Sequence, residues 1–329
     1  MRAIAMNRTG GPEVLHLAAL ERPAPGPRQV ILRVAYAGVN PADWKARQGS
    51  LQQYFEYRYP MVLGFDAAGI IAEIGEDVAD LAVGDRVVCL CNFGRGERGA
   101  YAEFVAADAN RVVKIPKGVS FAQAVTFPTA GTAAWEVTLA VGQAGPGQKV
   151  LVNGGAGGVG GFAVQLARME GARVAATCSE PNLDYVRSLG AELAIDYRAA
   201  NVAQAVRDWA PDGVDLLVDA VGPGSLPEAP ALVRRGGVIA IIASSLPHKE
   251  QLDSRMAVER QVRVLTANSR FDAQPEQLRR LMAAFATGQL IAPSVTILPL
   301  HEAAEAHRRI ADGHVRGKII LEADGNLGK

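Results

Sequence analysis

Cysteine is scarce in this 329-residue sequence, and neither sign of charge dominates. The three cysteines, Cys89, Cys91 and Cys178, are too few for a disulfide framework, and Cys-x-Cys without further cysteine or a nearby histidine is not a zinc spacing. We interpret them as reduced structural thiols. The 34 Lys and Arg residues equal the 34 Asp and Glu residues, so charge gives no reason to expect binding to nucleic acid or to an anionic membrane surface.

Long apolar runs are also missing. No apolar segment typical of a secretory signal follows Met1, and the uncharged run from Gly118 to Trp135 is interrupted by Pro128 and by polar residues, which makes it a poor membrane span. We expect a cytoplasmic protein with no membrane partner, in which this run forms one or two buried helices near a domain boundary. A chain of this length predicts about two domains.

The first third of the sequence has short apolar runs bounded by Gly, Pro or Asp, which are typical of β-strands. From Lys149 onward, apolar strands alternate with amphipathic helices, which is the pattern of a doubly wound parallel sheet. The predicted fold class is therefore α/β, with a β-rich domain, a parallel-sheet domain, and a C-terminal part that folds back onto the first domain. The predicted strands are 30–36, 68–74, 86–90, 111–116, 149–153, 173–177, 214–219, 237–243, 261–265 and 317–322, and the predicted helices are 158–170, 181–189, 275–287 and 301–312.

Glycine is abundant, with 35 residues, and it is concentrated between the strand that ends at Asn153 and the helix that follows Gly161. Within this loop the pattern Gly-x-Gly-x-x-Gly is typical of dinucleotide-binding proteins, because the turn is tight and the backbone must approach a pyrophosphate. A simple glycine-rich turn is the alternative, but the strand–turn–helix–strand context favours the cofactor. The predicted phosphate contacts are Gly155, Gly157, Gly158, Val159 and Gly160.

The residue at the end of the predicted strand 173–177, which follows the glycine loop and its helix, indicates which dinucleotide is bound. A site for NAD has an acid there to hold the ribose 2′-hydroxyl, whereas this strand reaches Thr177 without one. Glu180 is followed by Pro181, which favours a first-turn helix residue behind a Ser179 N-cap. The missing acid favours NADP, although no Arg or Lys follows immediately, so NAD stays the alternative.

Four further motifs accompany the glycine loop. They are Ala37-Gly38-Val39-Asn40-Pro41-Ala42-Asp43-Trp44, Leu63-Gly64-Phe65-Asp66-Ala67-Ala68-Gly69, Val83-Gly84-Asp85-Arg86-Val87 and Gly313-His314-Val315-Arg316-Gly317-Lys318-Ile319. With them the chain resembles the quinone oxidoreductase branch of the medium-chain dehydrogenase/reductase superfamily over essentially its whole length. The resemblance implies a GroES-like catalytic domain at 1–125 and 262–329, a Rossmann NADP-binding domain at 126–261, and a homodimer.

The resemblance also bears on zinc. The zinc-dependent alcohol dehydrogenase branch holds its catalytic metal at positions that correspond here to Asn40, Phe65 and Thr129, none of which is a good zinc ligand. The resemblance therefore implies no metal site, and a hydride acceptor that reacts without a Lewis acid. Quinones and activated carbon–carbon double bonds meet that condition.

By the same resemblance, Asn40 lies near the nicotinamide and donates a hydrogen bond to an acceptor oxygen. Its alternative is a turn residue, since Asn-Pro commonly starts turns. Lys45 and Tyr54 are weaker candidates for the proton donor, with solvated surface residues as the alternative. For Asp43 a structural hydrogen bond or salt bridge is favoured over a role as base.

The resemblance further implies a set of cofactor contacts. Asn182 departs from relatives that often have Lys, which weakens the prediction of NADP. Besides Asn40 and the glycine loop, the implied contacts are Thr132, Thr177, Ser179, Asn182, Tyr197, Ala243, Ser244 and Lys318.

The leading hypothesis is an NADPH-dependent, zinc-independent reductase of a quinone or an α,β-unsaturated carbonyl. The second hypothesis is an NADPH-binding protein with a structural or regulatory use and little turnover. A zinc alcohol dehydrogenase is the third, and it predicts at least one metal ion per chain.

Overall fold

The computed structural model describes residues 1–54, 56–91, 98–222, 224–242, 252–268 and 272–327. The chain splits into two compact units. The first unit comprises Met1–Thr129 and Phe271–Lys329, and the second comprises Ala130–Arg270. The predicted limits of the catalytic and cofactor-binding domains, at 125/126 and 261/262, stay predictions.

Sixteen strands are present in the described residues. They are β1 (Arg2–Met6), β2 (His16–Ala19), β3 (Gln29–Val39), β4 (Met61–Val62), β5 (Asp66–Ile74), β6 (Arg86–Leu90), β7 (Phe104–Asp108), β8 (Val112–Lys114), β9 (Lys149–Asn153), β10 (Arg173–Cys178), β11 (Leu193–Asp196), β12 (Val214–Asp219), β13 (Val233–Ile242), β14 (Arg263–Ala267), β15 (Val295–Pro299) and β16 (Lys318–Glu322).

Ten α-helices connect these strands within the same described ranges. They are α1 (Pro41–Gln48), α2 (Phe121–Ala124), α3 (Pro128–Trp135), α4 (Gly158–Met169), α5 (Leu183–Ser188), α6 (Val202–Trp209), α7 (Ala229–Leu232), α8 (Ser254–Glu259), α9 (Gln274–Ala286) and α10 (Ala303–Asp312). A π-helical segment, Glu136–Val141, follows α3. Among these helices none combines the length and the apolar character that crossing a membrane requires.

In the first unit the sheet is built around β3, whose residues are buried along almost its whole length. Strands β5, β7 and β16 all pair with β3 in antiparallel fashion. Because β16 lies near the end of the sequence, it joins the C-terminal part to the N-terminal part within one sheet. The order of strands is β15-β16-β3-β5-β6-β8, with β7 also on β3, and a smaller sheet has the order β2-β1-β4.

In the second unit the sheet is parallel, and the strand order is β11-β10-β9-β12-β13-β14. Numbered within the unit, this is the Rossmann order 3-2-1-4-5-6. The chain starts in the middle of the sheet, adds strands toward one edge, and then returns to add its fourth strand on the other side of the first. The reversal lies between β9 and β12, and ligands of such sheets bind at the carboxyl ends of the strands there. The predicted parallel-sheet fold is confirmed.

The uncharged run that starts at Gly118 forms two short helices, α2 and α3, as predicted. Ser120 begins α2 by accepting a hydrogen bond from the amide of Gln123. The sequence-based prediction missed several strands. These are β1, β2, β4, β7, β11 and β15.

Candidate functional site

The glycine-rich loop connects β9 to α4 in the second unit. Gly154 has a φ of +83°, a conformation that favours glycine, and the amide of Gly155 donates to the carbonyl of Thr177 at 2.8 Å. A Cβ on Gly155 would lie 2.8 Å from the Cβ of Ala176, and one on Gly160 would lie 2.1 Å from the carbonyl oxygen of Gly154. These glycines are therefore required by the packing of the loop itself.

Gly157 differs from its neighbours in the loop, because among the described residues a Cβ there would meet one atom within 4 Å, the carbonyl oxygen of Gly154, at an ordinary contact distance of 3.5 Å. A side chain at Gly157 would therefore clash with none of the described residues, although it would occupy space beside the start of α4. The first hydrogen bond of α4 runs from Gly161 N–H to Gly157 C=O, so the amides of Gly158, Val159 and Gly160 stand at the open N-terminal end of the helix. A helix N-terminus whose capping residue has no side chain fits a pyrophosphate.

A hydrogen-bonded network holds this loop at the carboxyl edge of the sheet. The Thr177 hydroxyl donates to Oδ1 of Asn153 at 2.8 Å and accepts from the amide of Gly154 at 3.0 Å. Asn153 Nδ2 donates in turn to Asp219 Oδ1 at 3.0 Å and to Ser225 Oγ at 2.7 Å. Thr177, predicted as a cofactor contact, is buried and directs its hydroxyl into the loop.

Beyond Thr177, the chain brings together the residues predicted around an adenosine 2′-phosphate. Asn182 Nδ2 donates to Ser179 Oγ at 3.0 Å, and the amide of Tyr197 donates to the carbonyl of Cys178 at 3.1 Å. The exposed guanidinium of Arg198 lies 5.5 Å from the centre of the Tyr197 ring. Sequence reasoning missed Arg198, because it follows β11, and that strand was not predicted.

Two other predicted cofactor contacts lie elsewhere. Thr132 is buried within α3, and Lys318 is buried in the first unit. Ala243 and Ser244 lie outside the described residues. The residues that the structure does bring to one edge of the parallel sheet are Gly155, Gly157, Gly158, Val159, Gly160, Thr177, Ser179, Asn182 and Tyr197.

Asn40, the predicted hydrogen-bond donor, lies in the first unit between β3 and α1 and is 1% exposed. Its amide nitrogen Nδ2 donates to Asp66 Oδ2 at 2.9 Å, and its oxygen Oδ1 accepts a short hydrogen bond from Lys318 Nζ. The other oxygen of Asp66 accepts from the amide of Thr129 at 3.1 Å and from its hydroxyl at 2.5 Å. The structure thus joins Asn40, Asp66, Lys318 and Thr129 in one buried polar cluster.

A second group of hydrogen bonds, centred on Asp43, fixes the start of α1. Asp43 accepts from the amide of Asn40 at 2.7 Å and from that of Gly64 at 3.1 Å, which is a structural role for its carboxyl group. Burial raises the pKa of Asp43 to about 7, and the hydrogen bond from Asn40 opposes that rise. Tyr101 also hydrogen-bonds Asp43, so the first turn of α1 is tied to the core of the unit.

The tautomer of His307 follows from its neighbours. Arg47 Nη1, which cannot accept a hydrogen bond, lies 3.3 Å from Nδ1, so Nδ1 is the acceptor and Nε2 carries the proton. Nε2 lies 3.1 Å from the hydroxyl oxygen of Tyr101, which leaves that hydroxyl to donate to Asp43. Burial lowers the pKa of His307 to about 3, with a further lowering by Arg47, in agreement with a neutral ring.

The two predicted proton donors differ in their surroundings. Lys45 lies on α1, five positions after Asn40, and its ammonium lies 5.8 Å from the centre of the Trp44 ring. Burial lowers the pKa of Lys45, which makes it a stronger acid than an exposed lysine. Tyr54 is 63% exposed. Of the two predicted proton donors, Lys45 is the more buried.

The positions that correspond to zinc ligands in the alcohol dehydrogenase branch do not fit zinc. Asn40 and Thr129 both hydrogen-bond Asp66, and Phe65 has an apolar side chain that packs against the core of the first unit. Cys89 and Cys91 are buried and their sulfur atoms lie 3.7 Å apart. In the described part of the chain, no group of three or more His, Cys, Asp or Glu side chains is arranged to hold a metal ion.

Two family models match the chain. Residues 26–117 match the alcohol dehydrogenase GroES-like domain, and residues 189–321 match the zinc-binding dehydrogenase family. The fold is therefore a GroES-like unit together with a Rossmann-like parallel sheet. A glycine loop of this kind on such a fold defines an oxidoreductase that uses a nicotinamide dinucleotide.

Relatives narrow the class. The chloroplastic quinone-oxidoreductase QR1 of Triphysaria versicolor is 31% identical over 98% of both chains. The chloroplastic NADPH-dependent alkenal/one oxidoreductase of Arabidopsis thaliana is 31% identical over 98% of this chain and 79% of its own length. A crystal structure of an NAD-dependent alcohol dehydrogenase superposes with a TM-score of 0.90 at 31% identity, covering 98% of this chain and 100% of that one. The chain belongs to the quinone oxidoreductase branch of the medium-chain dehydrogenase/reductase superfamily.

Proposed function

We propose that the protein is an NADPH-dependent reductase that delivers hydride to a quinone or an α,β-unsaturated carbonyl compound without zinc. The proposal is carried by two features together: a glycine loop that leaves Gly157 without a side chain at the start of α4, and the Asn40 amide at a position where the zinc-dependent branch has a metal ligand. The relatives named for quinone and alkenal/one reduction support the same substrate class.

The residues of the glycine loop and Thr177 have different roles in binding the dinucleotide. The amides of Gly158, Val159 and Gly160 bind the pyrophosphate, and the positive end of the α4 dipole stabilises its charge. Thr177 acts indirectly, because its hydroxyl holds the backbone of the loop. The bound cofactor supplies hydride from C4 of its nicotinamide ring.

In the proposed reaction the substrate takes up two electrons and one proton as hydride, and a second proton arrives separately. Asn40 donates a hydrogen bond to the substrate oxygen on which negative charge develops. Lys45 is the proposed source of the second proton, since burial lowers its pKa toward the range in which general acids work well. No step in this sequence requires a Lewis acid.

Arg198 supports NADPH over NADH. The sequence has Asn182 where relatives often have Lys, and Arg198 supplies a cation next to Tyr197 that can pair with the 2′-phosphate. The hydroxyl of Ser179 and the amide of Asn182 add neutral hydrogen-bond partners. The similarity to an NAD-dependent alcohol dehydrogenase favours the opposite preference, so both cofactors belong in the test.

The test is consumption of NADPH absorbance by the purified protein with 9,10-phenanthrenequinone, an alkenal and an enone, each repeated with NADH and after treatment with a chelator. We expect turnover with at least one acceptor, a preference for NADPH, and no loss of activity in the chelator. Inertness toward all three acceptors despite NADPH binding in calorimetry would instead support a structural or regulatory binding protein. Stoichiometric zinc in elemental analysis, with activity lost in the chelator, would support an alcohol dehydrogenase.

We also propose that the enzyme works as a cytoplasmic homodimer. Sedimentation velocity of the purified chain tests the dimer, and fractionation of the source cells tests the location. A monomer at micromolar concentration, or a protein found in a membrane-bounded compartment, would contradict the respective part.

A further inference from the structure

Lys318 is a lysine buried to 4% exposure at the start of β16. Its ammonium donates to the carbonyl of Val39 at 3.0 Å and to Oδ1 of Asn40, and it lies 3.9 Å from Oδ2 of Asp66. The ammonium thus makes two hydrogen bonds and one longer ion pair, and all three of these described partners are protein oxygen atoms. All of these partners belong to the first unit.

This arrangement determines which way the Asn40 amide points. An ammonium group can only donate, so the side facing Lys318 must be the amide oxygen. A carboxylate can only accept, so the side of the amide facing Asp66 must be the NH₂ group. A flipped Asn40 would set two donors against each other at Lys318 and two acceptors against each other at Asp66.

One hydrogen of Asn40 remains to be accounted for. Nδ2 carries two hydrogens, and within the described residues Asp66 is the one acceptor that it has. A buried N–H without an acceptor is costly, so this second hydrogen calls for a partner such as a water molecule or a ligand. The hydrogen bond that Lys318 makes to Oδ1 also withdraws electron density from the amide, which strengthens its remaining N–H as a donor.

We infer that Lys318 is a positioning residue for Asn40: its ammonium holds the amide so that the second N–H is directed and strengthened for the substrate oxygen. The inference rests on the proposed function of Asn40. It differs from the role that the family resemblance implies for Lys318, a direct cofactor contact, because all three acceptors near the ammonium are protein atoms. The two roles predict different kinetic effects.

The experiment compares Lys318→Met, Asn40→Ala and the double variant, measuring kcat, KM for the quinone, and the Kd of NADPH by fluorescence. Lys114→Met is the matched control, because Lys114 forms an exposed ion pair with Asp85 at 2.9 Å in the same unit. We expect both single variants to lose kcat by about tenfold or more, with NADPH affinity within about twofold of wild type. The double variant should lose no more than the larger single effect, since both changes remove the same interaction. Lys318→Arg, which keeps a cationic donor, should recover part of the loss.

Weaker NADPH binding with unchanged kcat in Lys318→Met would make Lys318 a cofactor contact and overturn the inference. Multiplicative losses in the double variant would overturn it as well. If Lys318→Met does not fold, Lys318→Gln serves in its place, because it keeps a polar side chain but removes the positive charge that faces Asn40 and Asp66. Unchanged kcat in that variant would also overturn the inference. Normal turnover of Asn40→Ala would contradict the role of Asn40 itself, whereas an impaired Asn40→Ala beside a fully active Lys318→Met would reject only the role of Lys318.

Discussion

A Cβ atom on Gly160 would lie 2.1 Å from the carbonyl oxygen of Gly154, whereas one on Gly157 would approach that oxygen only to 3.5 Å. The two glycines of one motif therefore have separable roles. We predict that Gly160→Ala destabilises the fold by about 1–3 kcal/mol, since the backbone of the loop must move. Gly157→Ala should leave thermal stability unchanged and weaken NADPH binding by about tenfold or more, because its methyl group occupies the space proposed for the pyrophosphate beside the start of α4.

Gly145 offers the matched control for these glycine variants, since no atom of the described residues lies within 4 Å of a Cβ built there. Gly145→Ala should change neither melting temperature nor NADPH affinity. Calorimetry and thermal unfolding check all three variants. Equal NADPH affinity in Gly157→Ala and wild type would contradict the assignment of the loop to the pyrophosphate.

Arg198 is predicted to set the preference between the two cofactors. Arg198→Glu replaces a cation with an anion beside Tyr197, so it should weaken NADPH binding by about tenfold or more while NADH binding changes little. Asn182→Lys should have the opposite effect and tighten NADPH binding. Arg207→Glu makes the same charge change at an exposed position on α6 and should leave the ratio of the two dissociation constants unaltered. A proportional loss of both cofactors in Arg198→Glu would remove Arg198 from the 2′-phosphate site.

The lowered pKa of His307 leads us to expect a defined dependence of the unfolding free energy on pH. Its pKa falls from 6.5 to about 3 in the folded protein, so between these values the unfolded chain binds a proton that the folded chain does not. The unfolding free energy should therefore fall as the pH is lowered through this window, by at most about 1.4 kcal/mol per pH unit from this group. In urea titrations from pH 4 to 7, His307→Gln should show a shallower slope than wild type, and identical slopes would contradict a neutral buried His307.

Lys45 and Tyr54 differ in exposure, so we expect substitutions at the two residues to have different effects on turnover. Lys45→Met should lower kcat and change the alkaline limb of its pH profile, because the proposed proton donor with a lowered pKa is removed. Tyr54→Phe, at a position that is 63% exposed, should leave both features near those of wild type. Stopped-flow and steady-state rates across pH 6–10 test the pair, and an unchanged profile in Lys45→Met would assign the second proton to solvent.

Much of the architecture could be predicted from the sequence where apolar runs were bounded by clear breakers. The strands Arg86–Leu90, Lys149–Asn153 and Val214–Asp219 have the predicted bounds, and the predicted helix from Gly158 differs from α4 by one residue at its end. The missed strands have weaker patterns. In β2 most residues are exposed, and β11 is only four residues long, so neither shows the buried alternation on which the prediction relied.

The candidate site was predicted less completely than the architecture, because polar and charged residues that are distant in sequence come into contact only in the folded chain. Lys318 was expected near the cofactor from its motif, yet its buried contacts reach across 278 positions to Asn40. Asp66 stands out in the sequence only as one residue of a motif, although its two oxygens join Asn40 and Thr129. Arg198 could be recognised as a candidate only from the fold, because the pairing of β11 with β10 and the hydrogen bond from Tyr197 to Cys178 place it near the end of β10. Such pairings depend on strand register, which single-sequence patterns do not specify.

The pairing of β16 with β3 has a consequence for biosynthesis. The ribosome completes the parallel-sheet unit well before it reaches β16, so that unit can form while the end of β3, from Tyr36 to Val39, still lacks β16 as its partner. During that interval the nascent chain exposes an open strand edge, which is a site for mispairing or for chaperone binding. Lys318 can reach Asn40 only after β16 has been synthesised, so the buried cluster of Asn40, Asp66 and Lys318 forms later than the parallel-sheet unit can.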